Sequence, residues 1–349
     1  MARPSVKHIV FSLIFLILLL APVEIASRAY WVRKAGLSFW APDPIDLFYP
    51  QIKKIRQASI RQDDGSFDIL FLGGSVLYDV ARQDKSREIL QTILGDPAGK
   101  TVRVFNASYP GHSSLDSVFK YESLKKQRFD LVLMYDSINE VRANNCPPGM
   151  FRDDYSHYSW YGKLNFFRHY PFFRILTFPY TVHSLTVDIR VKKNPRSFVP
   201  TDIPDAEWTR YGHDIRTAGP FRKNMEKITS LARKRGEPVL LIGFAFHVPR
   251  DYSEIKFNRK MLDYGYGENA FPLEIWGRPE NVIKGVLAHN DILAGLASRE
   301  KTLYLDANAF LPHDGRFFRD VCHLTDTGVE TFAGILGLFL RDQAVGRPR

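Results

Sequence analysis

The chain is predicted to be an α/β protein of three layers, α/β/α, built on a five-stranded parallel sheet. An apolar N-terminal helix and an aromatic-rich insertion are added to that core. Three observations carry the prediction. Short apolar runs alternate with helix-length segments from residue 68 onward. The runs are continuously apolar rather than alternating, the pattern of parallel strands covered by helices on both faces. Each run ends in a polar or glycine-containing stretch, and open sheets of this kind bind ligands outside the carboxyl ends of their strands.

Composition narrows the class further. The 349 residues are 45% hydrophobic and 25% charged, with a formal charge of +10. Wholesale disorder is excluded, because it requires few apolar residues together with high net charge. The length suits one large domain or two small ones. The 2 cysteines form no C-x-x-C pair. They are too few for an all-cysteine zinc site, so structural zinc, dithiol redox chemistry and cofactors are not expected.

The elements follow in order. Residues 9 to 23 carry no charge and come after Arg3 and Lys7. At ~1.5 Å per residue they span about 22 Å, short of a ~30 Å hydrocarbon core unless flanks such as Ile25 and Ala26 contribute. A cleaved signal peptide competes with an anchor. Its best small-x-small site is Ser27-Arg28-Ala29, with an arginine in the middle and Glu24 close behind the apolar run. The segment 1–26 is therefore read as a membrane anchor or uncleaved signal of a single-pass protein. Flanking charge does not orient it, since Arg3 and Lys7 face Arg28, Arg33 and Lys34. Residues 27–66, with Trp31, Trp40, Phe48 and Tyr49 among prolines and basic residues, read as a juxtamembrane linker, and 67–349 as the main domain.

Strands are expected at 68–72, 101–105, 129–135, 238–244 and 302–306. A helix begins after Gly73-Gly74-Ser75, and others are expected at 83–95, 115–127, 221–235, 279–299 and 325–341. The interruption at about 150–220 reads as an insertion. Twelve of the thirty residues from 151 to 180 are aromatic, and 150 to 235 holds sixteen Lys or Arg against eight Asp or Glu. The aromatics form either a cover for the active site or an ordinary packed mini-core. The excess positive charge suits anionic headgroups or plain solvated surface, and no nucleic-acid motif accompanies it, so no nucleic-acid partner is expected.

Four strand-end loops carry candidate chemistry. Ser75 follows two glycines that allow a sharp turn, though a helix-capping serine would look the same. Gly111 lies just past the second strand and Asn139 just past the third, where an amide can face a developing oxyanion; turn chemistry alone also explains both. After the fifth strand, Asp320 stands three residues before His323. An Asp so placed can orient the imidazole, and a histidine of ordinary pKa near 6.5 is the right base to take a serine proton.

Taken in this order, the loops resemble the SGNH hydrolases, the GDSL-type esterase superfamily. The resemblance covers 68–142, 237–249 and 279–341, roughly half the chain, and its specificity lies in the ordered set. It implies a flavodoxin-like fold with Ser75 as nucleophile, His323 as base and then acid, and Asp320 orienting His323. It also implies an oxyanion hole of Ser75 N–H, Gly111 N–H and the Asn139 amide. Two blocks depart from the family pattern. Gly74 stands where an aspartate is usual, and Ser137-Ile138-Asn139-Glu140 replaces Gly-x-Asn-Asp. The implied function is a membrane-anchored serine esterase or acyltransferase working through an acyl-enzyme, on an acylated glycan (acetyl on a cell-surface glycan) or a lipid. A lipase or thioesterase and a non-catalytic carbohydrate-binding relative are the alternatives. The acyl group, the acceptor and the oligomeric state are left open. Cys146 lies seven residues after Asn139 and Cys322 adjoins His323. They form either a disulfide across the two loops or two free thiols, with Cys322 packed behind the histidine.

Overall fold

The computed structural model describes residues 6–60, 64–170, 176–200 and 203–343. Five strands, β1 (Ser66–Gly73), β2 (Thr101–Asn106), β3 (Leu131–Tyr135), β4 (Val239–Gly243) and β5 (Leu303–Asp306), lie within a residue or two of their expected positions. All pair in parallel in the order β2-β1-β3-β4-β5. This is the flavodoxin-like order, whose direction of winding reverses between β1 and β3, and the crevice at that reversal is where such sheets hold ligands. β3 and β4 are buried along their whole length and β1 everywhere but Ser66. Continuous hydrophobicity in the sequence therefore marked strands buried on both faces.

Helices Ser75–Arg82, Ser114–Ser123, Ala218–Arg235, Pro279–Glu300 and Asp326–Asp342 cover the sheet. Their ends have local causes. Ser113 and Asp116 form a reciprocal capping box before the second of these helices, and Gly236 ends the third in the left-handed region at φ 71°. Thr325 Oγ1 accepts from the Gly328 N–H at 3.1 Å to start the last. The helix expected over 83–95 is regular only from Asp84 to Leu90, and a wider π turn occupies Gln91–Gly95. Its cause is Gln91, whose side chain reaches the edge of β2. There it donates to Lys100 O at 2.9 Å and accepts from Val102 N–H at 2.8 Å.

The chain divides into two compact units. One comprises the residues up to Pro50 with Tyr155–Phe198; the other, Gln51–Asp154 with Val199 onward, carries the sheet. The segment read as a linker over 27–66 is thus shared between them, and the interruption at 150–220 contributes its central part to the first.

In the first unit a single helix runs from Val6 to Ala35, uninterrupted at Pro22. Its 30 residues measure about 45 Å at the α-helical rise. Its apolar window has a mean hydropathy of 2.4 and is 6% buried. The far half of this helix is tied to a second helix, Phe178–Lys193. The Glu24 carboxylate accepts from Thr177 N–H at 2.9 Å and from Phe178 N–H at 3.0 Å, at the amino end of that helix. Ser27 Oγ is hydrogen-bonded with Thr177 Oγ1 and Thr181 Oγ1, each at 2.7 Å, and Trp31 Nε1 donates to Thr181 Oγ1 at 2.7 Å. The insertion's aromatics pack among themselves and on the N-terminal segment. Phe167 and Tyr180 stand 4.5 Å apart, Phe48 and Trp160 4.9 Å, and Trp31 and Tyr180 5.5 Å by ring centroids. Tyr155, Tyr158, Tyr161 and Phe167 are buried, as a packed mini-core requires.

Candidate active site

β1 ends at Gly73, Gly74 caps the next helix, and Ser75 is its first residue. Both glycines are required by space. A Cβ on Gly73 would stand 2.5 Å from Tyr135 O, and one on Gly74 would stand 2.9 Å from Asn139 Nδ2. As the first helical residue, Ser75 has a backbone N–H with no acceptor inside its own helix.

Asp320 and His323 sit in a tight turn closed by an antiparallel bridge between Phe318 and Leu324 and by Arg319 N–H donating to His323 O at 2.9 Å. Arg319 also pairs with Asp79, on the helix that Ser75 begins. Asp320 is fully buried, and four N–H groups converge on its carboxylate. Oδ1 accepts from the backbones of His323 at 2.7 Å and Cys322 at 2.9 Å; Oδ2 accepts from His323 Nδ1 and Phe271 N–H, both at 2.8 Å. Donation from Nδ1 leaves Nε2 as the acceptor, and Nε2 lies 2.8 Å from Ser75 Oγ. Such an arrangement can carry a proton from hydroxyl to imidazole while the buried carboxylate stabilises the imidazolium.

Asn139 lies in the short helix Ile138–Arg142 after β3. Its Nδ2 donates to His112 O at 2.8 Å, and its Oδ1 accepts from Trp276 Nε1 at 3.3 Å. One amide N–H is left over. Gly111 stands on the exposed loop after β2 with φ 76°, a left-handed conformation suited to glycine. That loop is docked on the end of β1 by Tyr109 N–H, which donates to Gly73 O at 3.1 Å. Ser75, Asn139, Asp320 and His323 are therefore brought together at one sheet edge. Gly111 adjoins His112, the residue whose carbonyl holds the Asn139 amide.

The two departures near Asn139 have structural partners. Ser137 Oγ is hydrogen-bonded with His289 Nδ1 at 3.2 Å, and His289 Nε2 with Thr217 Oγ1 at 3.1 Å. Burial pushes His289 down to about 3, so this bridge is neutral. Glu140 Oε1 accepts from Ser114 N–H at 2.6 Å. Burial, followed by the neighbouring Asp136, pushes the Glu140 carboxyl well above its ordinary range. Beside it burial raises Asp136 to about 7 and lowers Lys120 to about 8. Glu140 belongs to a block the sequence marked, but Lys120, His289, Trp276 and Phe271 were not among the residues its motifs singled out.

Both cysteines are free and buried. Cys146 Sγ turns back toward Ala143 O at 3.7 Å, within its own loop, and Cys322 Sγ packs 3.6 Å from His323 Nδ1. Of the two alternatives for Cys146 and Cys322, the disulfide is not formed. Donor atoms of Asp320, Cys322 and His323 lie within 4.8 Å of one another. Carboxylate and imidazole are bonded to each other, however, and burial keeps the Cys322 thiol well above its ordinary range, so the trio is not arranged as a metal-ligand set. A cavity of about 10 Å³ lies among Ser75, Tyr135, Asn139 and Phe244, room for about one water.

No family model matches the chain, and no curated protein matches its sequence. Among solved structures it is similar to a GDSL-like lipase from Bacteroides thetaiotaomicron. The identity is 12% and the TM-score 0.45, over 85% of this chain and 96% of that one. It is also similar to an acetylxylan esterase from Geobacillus stearothermophilus, at 14% identity and a TM-score of 0.41, over 81% of this chain and 96% of that one. Likeness of fold at this level does not define a reaction, which has to be argued from the site.

Proposed function

We propose that the chain is a membrane-anchored serine esterase or acyltransferase of the SGNH type, acting on an acyl ester through an acyl-enzyme on Ser75. The observation that carries this reading is the unbroken relay from Ser75 Oγ to His323 Nε2 and from His323 Nδ1 to Asp320 Oδ2, each step 2.8 Å. His323 takes the Ser75 proton as Oγ attacks the acyl carbonyl. The oxyanion that forms is met by the N–H groups of Ser75 and Gly111 and by the spare Asn139 N–H. Collapse of the intermediate expels the alcohol, which takes the proton from His323. Water, or an acceptor hydroxyl, then enters by the same steps in reverse and releases Ser75.

A small acyl group such as acetyl, carried on a cell-surface glycan, is the substrate class proposed. The water-sized space beside Ser75 has room for the methyl of an acetyl group. The complete relay favours catalysis over a binding-only role. Retention of the N-terminal helix, with the catalytic unit outside the cytoplasm, completes the proposal. Retention is supported by Glu24, Ser27 and Trp31, which lie at and around the best small-x-small site and are bonded into the first unit.

Purified full-length protein is expected to turn over a short-chain aryl ester. Ser75→Ala and His323→Ala should each reduce turnover to background, and the double variant should lose nothing more, because the two groups act in one step. Wild-type turnover by Ser75→Ala would remove the assignment.

A further inference from the structure

We infer that Asp79 and Arg319 are positioning residues, an ion pair that holds His323 Nε2 within reach of Ser75 Oγ. The inference rests on the acyl-enzyme reading of Ser75. The two bonds of the relay differ in kind. Asp320 and His323 share one turn, so their bond is local, whereas Ser75 and His323 are 248 residues apart on separate loops. The sheet does not set that second distance. β5, after which His323 follows, lies three places from β1 in the sheet, about 14 Å at the usual strand spacing. The turn crosses that span to reach the serine, and the bonds it makes there fix where the imidazole stands.

Those bonds fall along one face of the serine's helix. Ser75, Asp79 and Gln83 are spaced by four residues, which stacks side chains one above another. Gln83 closes the helix, its N–H donating to Asp79 O at 3.3 Å. Ser75 Oγ meets His323 Nε2, Asp79 pairs with Arg319, and Gln83 Nε2 donates to Asp326 Oδ1 at 2.9 Å. Three successive contacts thus join this face to the segment 319–326. Arg319 links the two sides directly, because its N–H donates to His323 O at 2.9 Å while its side chain holds Asp79. The neighbouring cation is engaged elsewhere, since Arg82 donates to Tyr78 OH at 3.3 Å and lies over that ring. The Arg319 and Asp79 side chains are 20% and 31% exposed, and ion pairs with such access to water add little to stability. Their consequence is geometric. Without the pair the turn can shift against the helix; the Asp320–His323 bond travels with it, and the bond to Ser75 does not.

The test uses the purified full-length protein and 4-nitrophenyl acetate, with Ser75→Ala measured alongside. Asp79→Asn and Arg319→Gln are each expected to lower kcat by about 10- to 10²-fold, the cost of a small misplacement of reacting groups. KM should stay near wild type, because His323 serves both formation and breakdown of the acyl-enzyme and the two steps slow together. The double variant should be no slower than the slower single one. Circular dichroism should show all three variants as folded as wild type. Wild-type kcat in either single variant, with Ser75→Ala inactive, would leave the nucleophile standing and overturn this inference. Losses that add in the double variant, or that are matched by lost folded protein, would also overturn it. Turnover that survives in Ser75→Ala would remove the acyl-enzyme reading and the inference with it.

Discussion

The oxyanion side of the site depends on which way one amide points. Asn139 offers one acceptor and two donors; Trp276 Nε1 occupies the acceptor and His112 O one of the donors. The amide therefore cannot flip without losing both bonds, and the second N–H stays available. Gly74 belongs to the same arrangement, since a Cβ there would meet Asn139 Nδ2 at 2.9 Å. Gly74→Ala is expected to lower kcat toward the level of Asn139→Ala, a loss of about 10²- to 10³-fold, with KM little changed. Trp276→Phe should lower kcat in the native background and have almost no further effect in Asn139→Ala. Additive losses in that double-mutant cycle would show that the indole acts elsewhere. Ser75, Asn139 and the Asp320–His323 pair could be picked out in the sequence because they lie on the loops after the first, third and fifth strands, in that order. Trp276 and Phe271 were not. They come from the weakly patterned stretch 250–278 and act through an indole N–H and a backbone N–H, which no motif encodes.

At the level of elements, the Asn139 loop is clamped from two helices, by His289 on Ser137 and by the Ser114 N–H on Glu140. Behind it the Asp136 carboxyl is raised to about 7 by burial, against about 3.9 in an unfolded chain. The folded state thus keeps a proton that the unfolded state releases. The stability from this group is full below about pH 4 and is lost as pH rises toward 7. Asp136→Asn has no such proton to lose. Its thermal midpoint, measured against wild type, is expected to rise steadily between pH 4.5 and 7.5; a difference that does not vary with pH would contradict the burial argument. The strands were readable because burial on both faces removes polar alternation. The π turn at Gln91–Gly95 was not, because it follows from a side chain reaching the edge of β2, a contact between elements.

For the whole molecule, the sequence left open whether the aromatics of 151–180 pack or bind; among the described residues Tyr155, Tyr158, Tyr161, Phe167 and Tyr180 are buried, and the contacts of Trp160 with Phe48 and of Tyr180 with Trp31 make a core for the first unit. Composition shows the aromatic density and not the partner, which lies more than a hundred residues away. The same packing bears on the N-terminus, since cutting after Ala29 would remove Glu24 and Ser27 from their bonds with Thr177 and Thr181. Intact-mass analysis of protein extracted from membranes is expected to retain residues 9 to 31, and a mature chain starting at Tyr30 would contradict that. The central claim, a nucleophilic serine activated by this relay, is tested most directly by reacting the full-length protein with a fluorophosphonate and mapping the adduct by mass spectrometry. The account predicts one adduct, on Ser75, lost in His323→Ala and formed more slowly in Asn139→Ala. An unlabelled Ser75 in folded wild-type protein, or equal labelling in His323→Ala, would contradict it.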